Sequence, residues 1–181
     1  MTNEGLTKAT KIFETAKEDS YKRGTSRSVR GYPNGHPKPE YKKDLNKAFP
    51  DRDGWRAQTK AGASCDVFVG VVVRASGADK HFPRCLDDML EYVRNHPKKW
   101  KRINNPKQKD LLPGDVIYQR WWTGNGHVSI YMGKNKNGDG VVANAHYYGK
   151  SYPVRQLYHN EVKPIKRCKH FYAFRIREGI I

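Results

Sequence analysis

Residues 64–76 read SCDVFVGVVVRAS, and the choice between strand and helix for this run decides the fold. The valines and Phe68 suit a buried strand, and Gly70 is a poor residue for a helix interior. The run is nevertheless longer than the usual buried strand. Gly77 also sits where a left-handed residue closes a helix. The reading is a helix, with Cys65 at its opening. Upstream, Leu6, Ala9, Ile12, Phe13 and Ala16 recur at helical spacing and predict an amphipathic helix over residues 6–18. Between Gly24 and Pro39 the density of glycine and proline predicts loop or extended chain. A short helix is expected over 41–48, then a turn over 49–54. Downstream, Pro83 opens a helix with Leu86, Met89, Leu90 and Val93 on one face, and His96-Pro97 ends it.

Beyond residue 110 the period changes. Residues 115–118, 127–132, 141–147 and 171–177 read as strands. Val128, Ile130 and Met132 alternate with His127, Ser129 and Tyr131, the pattern of a sheet with one buried face. GKNKNGDG, residues 133–140, supplies hairpin chemistry between two of these strands. Helices first and antiparallel strands later define an α+β domain, with N-terminal helices packed on a central antiparallel sheet. A chain of 181 residues makes one such domain. Residues 1–60 are its polar helical or extended N-terminal segment, and residues 61–181 its compact core.

The chain carries 35 Lys plus Arg against 18 Asp plus Glu, a net charge of +17. That excess draws anionic partners: nucleic acid, an anionic wall polymer or an acidic membrane surface. The cations are scattered, as in Lys42-Lys43, Lys98-Lys99 and Lys166-Arg167, and form no long block. No helix-turn-helix, zinc-finger or RNA-recognition signature accompanies them. No apolar stretch approaches the ~20 residues that span a bilayer, and the first residues lack the apolar core of a signal peptide. Three cysteines, Cys65, Cys85 and Cys168, leave at least one unpaired within the chain. None has the spacing of a zinc knuckle, so no metal site is expected.

Cys65 is the candidate nucleophile. A thiol attacks as thiolate, and the partial positive charge of a helix start favours that form. Free backbone N–H groups at the same place can hold the oxyanion of acyl transfer. The competing reading is a buried, inert cysteine. His127 is the candidate base. It begins a strand after Gly124-Asn125-Gly126, a rigid edge from which an imidazole can reach a partner.

Four blocks in order, GASCDVFV, LLPGDVIYQRWW, GHVSIYMG and VVANAHYYG, resemble those of the NlpC-type peptidases, a papain-like family of cell-wall hydrolases. The family pattern is a Cys opening a helix, a Leu-x-Pro-Gly-Asp turn into a strand, a Gly-His-Val-x-Ile-Tyr strand, and a polar residue on the next. The resemblance covers roughly residues 60–150 and implies a papain-like fold with a Cys65–His127 pair. Asn144 would orient the imidazole, with His146, two residues on and on the same strand face, as the rival for that role. The chain departs from the family around the nucleophile, where Ser64-Cys65-Asp66-Val67 replaces the common Asp-Cys-Ser-Gly. Contacts to substrate would come from Asp66, from Trp55 and from Trp122. Trp121-Trp122 would line a groove for sugar or peptide stems, or else fill the rim of the sheet. CHAP-type amidases share the Cys-then-His logic.

The resemblance implies a monomeric cysteine hydrolase that cuts an amide bond of peptidoglycan, in the stem peptide or at muramic acid, through a Cys65 acyl-enzyme. No metal or organic cofactor is required. Such a protein acts at the cell wall, as a phage endolysin or as part of a secreted hydrolase, with its charge docking it on anionic wall polymer. The rival from another class is a non-catalytic basic module of the same fold, binding wall polymer or nucleic acid.

Overall fold

The computed structural model of the chain describes residues 5–21, 38–50, 64–145, 154–158 and 168–178. Among the described residues, four α-helices come first: α1 (Lys8–Asp19), α2 (Pro39–Ala48), α3 (Cys65–Ala75) and α4 (Leu86–Asn95). Six described strands follow: β1 (Trp100–Asn104), β2 (Val116–Trp121), β3 (Gly126–Lys134), β4 (Gly140–Ala145), β5 (Val154–Tyr158) and β6 (Cys168–Ile176). They form one antiparallel sheet in the order β1-β6-β2-β3-β4-β5. The α+β organisation expected from the sequence is therefore present. β1 and β5 were not anticipated, and α4 begins three residues after Pro83, with Cys85 as its N-cap.

The run 64–76 is a helix because almost every side has something to cover it. From Val67 to Val73 every residue of α3 is buried, as expected of a helix that is apolar all round. It packs on β3 and β4 and is covered by α1 and α2. Burying each valine contributes roughly 1.5–3 kcal/mol, far more than the few tenths that β-branching costs a helix. Gly70 answers the objection to a helical reading, since a Cβ there would lie 2.9 Å from the Pro83 carbonyl oxygen and the Arg84 Cα. Gly77 follows the helix at φ 82°. Ile12, Ala16, Tyr41, Leu45 and Phe49 join this core, so the described parts of the N-terminal segment are built into it.

One sequence expectation is corrected. The His127 strand does not have a single buried face: Ser129 and Tyr131 are as inaccessible as Val128 and Ile130. Leu111, Ile117, Tyr131, Val142, Phe171 and Ala173 form a second, smaller cluster on the face away from the helices. Short polar alternation hides this, because a buried serine and a tyrosine read as solvent-facing.

The Leu112-Pro113-Gly114-Asp115 turn locks three elements together. The Asp115 carboxylate accepts from Arg175 Nε at 2.9 Å and Nη2 at 2.7 Å, and from the Leu112 N–H at 2.8 Å. Gly114 sits at φ 96°, and a Cβ there would be 2.3 Å from the Ala9 carbonyl oxygen of α1. The start of α1 is held in turn by Glu178, whose carboxylate accepts the Lys8 and Ala9 N–H groups at 2.9 and 3.0 Å. A negative group at those free donors is favourable.

Candidate functional site

Cys65 is the first residue of α3, after Ser64 as N-cap. The start of α3 is pinned by Asp66. Its Oδ1 accepts the Val67 N–H at 2.9 Å, and its Oδ2 accepts the Leu86 N–H, the first of α4, at 3.1 Å. Both carboxylate oxygens thus have backbone partners, which ties the two helices and assigns Asp66 a positioning role. The Cys65 sulfur is partly buried and lies at backbone N–H groups: its own, that of Asp66, and that of Val128 on β3. Val128 is the residue after His127.

His127 occupies the second position of β3 and pairs with Gln119 of β2. Its entry is governed by Gly126. A Cβ there would meet the Gln119 carbonyl oxygen at 2.5 Å and Leu86 Cδ2 at 2.7 Å, so only glycine lets β3 pass beneath α4. On β4, Asn144 is fully buried, and its Nδ2 lies 3.0 Å from His127 Nε2. Asn144 Oδ1 is buried and has no hydrogen-bond partner among the described residues. A carboxamide keeps its outline when O and N exchange, and which way it points follows from the bonds it makes. In one orientation Nδ2 donates to Nε2. In the other, Oδ1 accepts from Nε2–H, leaving Nδ1 as the basic nitrogen. Only the second suits an imidazole that must take a proton.

The structure therefore joins His127 to Asn144, and brings the Cys65 sulfur to the backbone amide beside His127. The thiol–imidazole hydrogen bond itself is not among the contacts of the described residues. Strand alternation accounts for this. His127 and Asn144 share the sheet face of Tyr131 and Val142, whereas α3 lies on the face of Val128 and Ile130. The sulfur meets β3 at its backbone.

The electrostatics of the thiol also differ from the sequence reading. Burial pushes Cys65 up from an ordinary 9.0 to about 11, the neighbouring Asp66 charge adds to the rise, and the Val128 N–H offsets part of it. Desolvation outweighs the helix start, so the resting group is a neutral thiol.

Trp122 stands on the β2–β3 turn and is 68% exposed. It borders a cavity of about 390 Å³ beside α4, whose walls include Arg94, Arg120, Trp121, Lys169 and His170. Cys65, His127 and Asn144 do not line it. The sequence leads us to expect Trp121-Trp122 to line a groove; it does not reveal the cations beside them, which come from α4, β2 and β6. Trp55 and His146 lie outside the described residues. Among the described residues, no group of three or more His, Cys, Asp or Glu could hold a metal ion. No described helix is long and apolar enough to cross a membrane.

Comparison of the chain with protein-family models, with curated proteins and with solved structures gave no match.

Proposed function

We propose that the chain is a cysteine hydrolase of NlpC type that cleaves an amide bond of bacterial cell-wall peptide, with Cys65 as nucleophile, His127 as base and Asn144 orienting the imidazole. The supporting observation is the hydrogen-bonded His127–Asn144 pair, one residue from the amide at which the Cys65 sulfur rests. The order of the four sequence blocks points the same way.

In this mechanism the thiol stays protonated until substrate arrives. As Sγ bonds to the carbonyl carbon, the S–H proton passes to the imidazole. The developing oxyanion is held by N–H groups at the start of α3, where those of Cys65 and Asp66 already lie close to the sulfur. The C–N bond then breaks, and the imidazolium returns its proton to the departing amine. Water attacks the resulting thioester, giving a proton to the imidazole, and the thiol leaves with that proton. The +17 charge concentrates the enzyme on anionic wall polymer.

Purified protein should clear a suspension of bacterial walls. Cys65→Ala should abolish clearing while leaving the thermal transition nearly in place. If the alanine variant clears walls as fast as its parent, Cys65 is not the nucleophile.

The raised thiol favours a second reading, a non-catalytic basic module of this fold that holds anionic wall polymer. In that case walls bind the protein with unchanged turbidity, and alkylating Cys65 leaves binding intact.

A further inference from the structure

The cavity beside α4 has a composition of its own. Its lining includes Arg94, Arg120, Lys169 and His170. Arg120 is committed to Asp87 by a direct ion pair, which leaves Arg94 and Lys169 as cations on the wall without a partner of opposite charge among the described residues. The surface of Trp122 stands open to solvent at the mouth. The indole N–H of Trp121, also in the lining, is buried and has no acceptor among the described residues. Asp87 and Glu91 also line the cavity, on the same face of α4 as Arg94.

We infer that this cavity binds a sugar that carries one anionic substituent, a phosphate or a carboxylate. The inference does not depend on the hydrolase reading. Each part of the cavity matches one part of such a ligand. The anionic group sits toward Arg94 and Lys169. The apolar face of a sugar ring stacks on Trp122, an aromatic otherwise left in water. Asp87 and Glu91 accept from ring hydroxyls, which are donors that a phosphodiester backbone lacks. The volume suits one such unit, within the usual size of small-ligand pockets. The same two carboxylates argue against a polyphosphate chain, which would need cations along its whole path.

The concentration of positive charge has an independent sign. His170, whose Nδ1 is 2.9 Å from the Tyr172 hydroxyl, is held below the ordinary histidine range by burial and then by Lys169, Arg94, Arg102 and Arg120. Four cations from four separate elements, α4, β1, β2 and β6, act on this one residue of the cavity wall. Arg94 and Lys169, which have no carboxylate partner among the described residues, draw an anion toward this concave site.

Titration of the full chain with defined probes tests this, read by tryptophan fluorescence and calorimetry. Glucose 6-phosphate and glucuronate separate phosphate from carboxylate. Glucose and inorganic phosphate supply each half alone, and oligothymidylate represents nucleic acid. At least one acidic sugar should saturate the site, with glucose and inorganic phosphate each binding ~10-fold or more weakly. Its affinity should fall with salt at a modest slope of about −1 to −2, reflecting one or two cations. Trp122→Ala, Arg94→Gln and Lys169→Gln should each weaken binding by ~10-fold, with thermal transitions that show the variants folded. Cys65→Ala should remove wall clearing and not sugar binding, so the two readings fail separately. The inference is overturned if no acidic sugar saturates the site up to ~20 mM, if glucose binds equally well, or if the three variants bind like the parent. Oligothymidylate that binds more tightly with length, and loses affinity in these variants, would replace it with a nucleic-acid site.

Discussion

The acidity of Cys65 offers the sharpest test of how the site works. Burial places the thiol at about 11 instead of 9.0. At pH 7.5 the thiolate fraction is then about 3 × 10⁻⁴, against about 3 × 10⁻² for the ordinary group, a ~100-fold deficit. A more basic thiolate is more nucleophilic, by roughly 0.4–0.5 log units per pKa unit, which returns ~6–10-fold over two units. Alkylation by iodoacetamide should therefore run ~10-fold slower than for an exposed reference thiol, and slower still where the partly buried sulfur is shielded. Labelling can be followed by mass spectrometry of the Cys65 peptide between pH 6 and 9.5. The rate should rise close to tenfold per pH unit across that whole range, without a plateau. His127→Ala should change it by less than ~3-fold, because the resting proton is on sulfur and not on the imidazole. A plateau at or below pH 7, with a rate above the reference thiol that His127→Ala abolishes, would refute the reasoning. It would show a resting thiolate–imidazolium pair.

Three further outcomes follow from the packing. Gly114→Ala puts a methyl group 2.3 Å from the Ala9 carbonyl oxygen at a positive φ; it should cost roughly 2–4 kcal/mol and lower Tm by several degrees in a thermal melt. Asp79 is a buried hub that accepts from Trp100 Nε1 at 2.9 Å, the Tyr92 hydroxyl at 2.9 Å and the His81 N–H at 3.0 Å. Despite burial, which opposes it, these bonds hold its carboxyl below the ordinary range. Its contribution is therefore complete above the unfolded value near 4 and is lost as pH falls through the lower folded value. Asp79→Ala should cost roughly 3 kcal/mol at pH 7, and the gap to the parent should narrow in denaturant melts at acid pH. Asp19 shows the opposite sign: burial and then the neighbouring Asp44 raise its carboxyl far above the ordinary range. The folded state keeps a proton that the unfolded chain loses, so stability falls as pH rises from about 4. Asp19→Asn should stabilise at pH 7 by on the order of 1–3 kcal/mol and flatten that decline; equal or lower stability than the parent across pH 5–8 would contradict it.

Legibility in the sequence followed the strength of local signals. The helix at 64–76 could be read because length and the closing Gly77 outweighed valine propensity. The His127 strand could be read from its alternation, and the Asn135–Asp139 turn from its composition, where Asn135 Oδ1 accepts the Asn137 and Asp139 N–H groups at 2.9 and 3.0 Å. β1 could not be read, because WKRIN has only Trp100 buried in it. Its pairing with β6 is a contact between residues about seventy positions apart. The second buried face of the sheet was hidden for the same reason, since Leu111 and Phe171 that cover it are remote from β3.

Local chemistry and spacing determined the α+β class and the helix that Cys65 opens, while the choice of Asn144 beside Cys65 and His127 came from the family resemblance. Tertiary structure decided everything that depends on which surfaces meet. It set Asn144 against His127, occupied both Asp66 oxygens with backbone, and buried the sulfur so that its proton is held tightly. It also gathered cations from α4, β2 and β6 around Trp121 and Trp122. Periodicity records which face a residue takes within its own element. Desolvation and through-space charge depend on neighbours distant in the chain, and those exist only once the sheet has closed over the helices.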